Sequence, residues 1–174
     1  MVPRLVATAE AMDLLRRLRG NHGGLMMHQS GGCCDGSSPM CYPAGEFIVG
    51  DRDVLLGVLD QRLDVGVVPD STPDGDDAVP VWISGSQFEA WKHTQLVLDV
   101  VPGRGGGFSL ETPEGKRFLS RGRAFTEAEN ASLAASPPLV GADWENGSRP
   151  ELPTEAQVVA EASDACPVPG QRLT

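Results

Sequence analysis

Four side chains within Met26–Tyr42, MMHQSGGCCDGSSPMCY, have chemistry beyond packing: the thiols of Cys33, Cys34 and Cys41 and the imidazole of His28. Thiolate sulfur and imidazole nitrogen are the donors that zinc, iron and iron–sulfur clusters select. The spacing is not the Cys-x-x-Cys of a zinc ribbon, so donor type carries this expectation more than spacing does. Cys33 and Cys34 are neighbours, and on an extended chain neighbours point opposite ways; both reach one ion only over a turned backbone. Gly31, Gly32 and Gly36 permit such a turn. Two other readings stay open. A reactive thiol pair would serve redox or nucleophilic work, with His28 or His93 as its base. Inert cysteines packing as small hydrophobes are the third.

Other residues invite sharper readings than they support. Asp35 reads as an Asx-turn residue, Ser37 and Ser38 as loop donors, and His22 as a solvated turn residue. His93, in the run Trp91-Lys92-His93-Thr94-Gln95, reads as packed and hydrogen-bonded; Trp82, Phe88 and Trp91 read as core. The run Gly103-Arg104-Gly105-Gly106-Gly107 follows a strand but precedes Phe108-Ser109-Leu110, another strand-like run. It lacks both the helix N-terminus and the Lys-Ser/Thr of a phosphate loop, so it reads as a flexible connection, with Arg104 an occasional anion contact.

The 24 acidic against 14 basic residues give a formal charge of −10. That balance disfavours nucleic acid, whose affinity comes largely from Lys and Arg, and disfavours anionic lipid. No apolar run approaches the ~20 residues of a membrane span, and Glu10 and Asp13 interrupt any leader-like stretch. The expectation is a cytoplasmic chain with reduced thiols, where a metal or redox role outranks a disulfide framework.

The elements that must position these groups follow from periodicity and punctuation. Thr8 caps a helix through Leu18, with Gly20 as its stop and Arg16, Arg17 and Arg19 on its solvated back. Leu25–His28 is a short buried strand leading into the cysteine stretch. Further strands are expected at Glu46–Val49, Val54–Leu59, Leu63–Val68, Val79–Ile83 and Gln95–Val101, with an exposed loop at Pro69–Asp77. Ser84 opens a short helix through Trp91. Phe108–Glu111 and Arg117–Leu119 form a hairpin around Pro113-Glu114-Gly115, and Thr126 caps a last helix through Ala135. From Ser136 onward six prolines and scattered acids predict a disordered tail over 136–174, leaving a mainly β (α+β) domain over 5–135.

Two resemblances add to this reading. HQSGGCCDGSSPMCYP, SQFEAWKHTQLVLDVVPGRGGGFSLE and PEGKRF resemble an uncharacterised bacterial domain-of-unknown-function family (DUF 779 type) often linked with aldehyde and alcohol dehydrogenases. That link implies such a dehydrogenase as protein partner. More distantly, the chain resembles the HesB-like A-type carriers of iron–sulfur assembly. Thr8–Leu18 is similar to their first helix, and Gly32-Cys33-Cys34-Asp35-Gly36 to their Gly-Gly-Cys-Ser-Gly turn. Ser84–Trp91, Leu98-Asp99-Val100 and Gly107-Phe108 through Pro113 follow in the carriers' order. The resemblance implies a compact HesB-like fold with Cys34 in the place of the first carrier cysteine. The carriers' closing Cys-Gly-Cys has no counterpart in Lys116–Gly122, KRFLSRG, so Cys33, Cys41 and His28 would complete the ligand set locally, or a homodimer would pool two sites. The function implied is a metal- or cluster-binding accessory protein. Its alternatives are a cysteine-dependent enzyme or redox protein acting on an aldehyde or thiol adduct, and a structural partner with inert thiols.

Overall fold

The computed structural model describes residues 1–31, 36–104 and 107–165. Its architecture is α+β. Strands β1 (Leu5–Thr8), β2 (Leu25–Gln29), β3 (Met40–Pro43), β4 (Val54–Asp60), β5 (Ala78–Ile83), β6 (Thr94–Pro102), β7 (Lys116–Ala124) and β8 (Val158–Val159) form two mixed four-stranded sheets. One sheet runs β7-β6-β1-β8, the other β3-β2-β5-β4. Four helices accompany them: α1 (Ala9–His22), α2 (Gly85–Trp91), α3 (Glu127–Ala134) and α4 (Gly141–Glu145). The inner faces of both sheets share one core with the buried side of α1, Ala11, Met12, Leu14, Leu15 and Leu18.

Thr8 does two jobs. It ends β1 and caps α1, its Oγ1 accepting from the Ala11 N–H at 3.2 Å while its hydroxyl donates to Asp99 at 3.0 Å. The helix passes the expected stop at Gly20 and ends at Gly23, where φ is +77° and the N–H returns to the Arg19 carbonyl. Gly20 has helical neighbours and no demand for positive φ, so nothing breaks the helix there. The arginines on its back tie down loops. Arg16 donates to the carbonyls of Gln61 and Leu63, and Arg19 pairs with Asp77 at 2.6 Å.

Strands Val54–Leu59, Val79–Ile83 and Gln95–Val101 stand where periodicity puts them. β1 was not anticipated, because LVAT is too short to be recognised until β6 pairs alongside it in parallel. Glu46–Val49 and Leu63–Val68 are loops, not strands; Val65, Val67 and Val68 are exposed and find no ladder. The hairpin is also different. β7 pairs antiparallel with β6 from Thr94↔Ala124 to Pro102↔Lys116, and Phe108–Glu111 lies in the long connection between them. A nine-pair ladder outcompetes the short turn that Pro113-Glu114-Gly115 suggests.

Over its described part, to residue 165, the expected disordered tail is ordered. Leu55 N–H donates to the Leu139 carbonyl at 2.9 Å, Val54 and Val140 form an isolated bridge, and α4 sits on the turn at Gly50. Gly141 is required there, since a Cβ would stand 2.1 Å from the Gly50 carbonyl oxygen. Trp144 meets Trp82 edge-on at 5.7 Å, and β8 adds to β1 in parallel. This proline-rich segment roofs a sheet face through side chains together with a few backbone contacts.

Candidate functional site

β2 carries the chain to the cysteine stretch, and its register with β3 decides which of the expected ligands can meet. Met27 faces Cys41 and His28 faces Met40. Successive residues of a strand point to opposite faces. Met27 and Cys41 therefore lie in the core shared by both sheets, whereas His28 shares the outer face with Met26, Tyr42 and Trp82. The structure therefore places His28 and Cys41, two of the four expected ligands, on opposite faces of the sheet.

Cys41 is fully buried, and burial together with the neighbouring Glu111 carboxylate pushes its thiol well above the ordinary range. The Cys41 N–H donates to Ser109 Oγ at 2.9 Å and its carbonyl accepts from Leu110 at 3.1 Å; the Ser109 hydroxyl in turn donates to Glu111. Burial also raises the Glu111 carboxyl. The backbone of Cys41 thus pins the β6–β7 connection to the edge of β3.

His28 is the opposite case. Only 4% exposed, it sets Nε2 2.9 Å from Asp53 Oδ2 and Nδ1 2.6 Å from Ser30 Oγ, with Phe47 against its ring at 4.5 Å. A carboxylate only accepts, so Nε2 carries a proton, and Nδ1 is the ring nitrogen turned toward Ser30. Asp53 is itself fixed by the Gly50 N–H at 2.9 Å. A carboxylate behind an imidazole sets the tautomer and raises the basicity of the other nitrogen, for ligation or for proton abstraction.

The ends of the cysteine loop are fixed from the other sheet. Gln29, buried at the end of β2, accepts from the Ser120 hydroxyl at 3.0 Å and donates to the Gly31 carbonyl. On the far side, Gly36 N–H donates to the Ser120 carbonyl and Ser120 N–H to the Ser37 carbonyl, both at 2.7 Å. Ser120 of β7 therefore holds both flanks of the stretch. Cys33, Cys34 and Asp35 lie outside the described residues, as does Cys166. Among the described residues no group of three or more His, Cys, Asp and Glu gathers to hold a metal ion.

Asp53, Gln29 and Ser120 were missed by sequence reasoning. A glutamine closing the apolar run Leu25-Met26-Met27 was the available signal for one; the other two are remote in sequence and carried none. His93 is hydrogen-bonded as expected, to Asn130 of α3 at 3.0 Å, but it is exposed rather than packed. His22 sits exposed in the last turn of α1, Arg104 is exposed, and Trp82 and Trp91 are core as expected.

Two mixed four-stranded sheets with their helices, and Ser120 of β7 holding the residues that flank the cysteine stretch, define a small α+β domain. The chain belongs to the family described as Domain of unknown function (DUF779), whose model matches residues 14–124. That span contains His28, the three clustered cysteines, Asp53 and Ser120, and excludes β1, β8 and the roof. No curated protein and no solved structure matches the chain, so the carrier resemblance rests on the sequence motifs alone. Among the described residues no helix is long and apolar enough to cross a membrane.

Proposed function

We propose that this protein is a metal- or cluster-binding accessory protein whose ligands are Cys33, Cys34 and His28 Nδ1, with Cys41 as packing. The observation that supports it is the His28 ring, held by Asp53 at one nitrogen and turned at the other toward Ser30, where the cysteine loop begins. Imidazoles that bind metal are commonly backed by a carboxylate in this way. Two thiolates and one imidazole suit zinc or iron, and leave a position for an exogenous ligand or a second copy of the chain. Cytoplasmic residence and service to an aldehyde or alcohol dehydrogenase belong to the same proposal.

The test is anaerobic purification followed by metal and acid-labile sulfide analysis. Metal should be present, lost in Cys34→Ser and His28→Phe, and retained in Cys41→Ala. Protein that is metal-free and also fails reconstitution with ferrous iron or zinc overturns the reading. The dyad of Asp53 and His28 equally suits a base that deprotonates a cysteine nucleophile, the second reading. Rapid alkylation of Cys33 or Cys34 in metal-free wild type, slowed in Asp53→Asn, would favour that one.

A further inference from the structure

The segment over 136–157 does not lie flat on the outer face of the β3-β2-β5-β4 sheet. With the sheet and the N-terminal residues it lines a half-open cavity of ≈ 960 Å³, at the upper end of small-molecule sites. Met26, Leu55, Val58 and Trp82 line it from the sheet, and Leu139 and Trp144 from the roof. The walls are mainly apolar, yet two polar side chains in them are incomplete. Arg4 donates from Nη2 to the carbonyls of Leu133 and Ser136, both at 3.0 Å, while its Nε is buried without a hydrogen-bond partner. None of the ion pairs among the described residues includes Arg4. Burial pulls its guanidinium below the usual range.

Gln157 is 6% exposed; its Nε2 donates to the Val58 carbonyl at 3.0 Å, and its Oε1 is buried without a partner. A half-buried cation with no anion and a buried amide oxygen with no donor are both costly to leave so. The carboxylates that line the cavity, Asp74 and Glu151, belong to exposed residues and pair with neither Arg4 nor Arg149, the latter stacked over Trp144 at 3.8 Å. The strongest unmet demand in the wall is for an anion.

We propose that this cavity binds a small carboxylate with an apolar body, its head on Arg4 and its body against Trp82 and Trp144. The proposal is independent of the metal reading and holds whether or not Cys33 and Cys34 carry an ion.

The experiment titrates the full chain, and its Cys34→Ser variant, with octanoate, octan-1-ol and octylammonium, reading heat and tryptophan emission. Octanoate should bind both proteins equally and shift the emission, with octan-1-ol about tenfold weaker or worse and octylammonium weaker still. Arg4→Met should weaken octanoate about tenfold and leave octan-1-ol unchanged. Because Arg4 also holds two carbonyls near α3, Val58→Trp, which fills the cavity from the sheet, is a second variant; it should stay folded by circular dichroism and lose octanoate binding. No binding at ~1 mM octanoate, octan-1-ol binding as tightly as octanoate, or octanoate affinity unchanged in either folded variant would overturn the proposal.

Discussion

At the scale of single residues, strand register decides the environment of Cys41. Cys41 faces the core beside Glu111, and both burial and that carboxylate oppose a thiolate. Thiol reactivity follows the thiolate fraction and access. In native protein at neutral pH, Cys41 should therefore react with iodoacetamide roughly a hundredfold or more slowly than in denaturant, read by mass spectrometry of the peptide containing it. Comparable rates in the two states would contradict the burial described. The sequence showed that His28 and the thiols share a stretch. It could not show that an alternation of one residue sends His28 and Cys41 to opposite faces, because that depends on the β2–β3 register.

At the scale of elements, caps and turn residues were legible and pairings were not. Thr126 caps α3 as expected, in a full capping box with Glu129. Glu129 also accepts both arms of Arg123, at 2.8 and 2.9 Å, and these contacts hold its carboxyl down at about 2. A carboxyl more acidic in the folded than in the unfolded chain adds stability above its unfolded value of 4.5, and that stability is lost as pH falls toward about 2. Glu129→Ala should cost about 1 kcal/mol near pH 7 in urea unfolding, and its deficit against wild type should shrink between pH 4.5 and about 2. A deficit that is the same at both ends would show that the charge is not what Glu129 contributes. Short local signals of this kind need no partner to be read. β1, the β6–β7 ladder and the loop at Phe47 do need partners, and those are where expectation and structure part.

At the scale of the whole molecule, the segment from Ser136 through Ala165 belongs to the fold. It covers Met26, Leu55 and Trp82 with Leu139 and Trp144, and supplies β8 to β1. A chain ending at Ser136 should lose at least about 3 kcal/mol, lowering Tm by roughly 10 °C, with Trp82 emission shifted to the red. Unchanged thermal unfolding and emission would return the segment to the status of a tail. The sequence by itself determined where thiols and imidazoles lie along the chain, the helix N-caps, most strands and the acidic net charge, because these follow from residue type and short-range periodicity. Only the tertiary structure decided that Asp53 stands behind His28, that Ser120 fixes both flanks of the cysteine stretch, that Cys41 faces the core, and that a proline-rich segment lines a cavity. Each of those depends on contacts between residues far apart in the chain, and register and burial exist only once the sheets have formed.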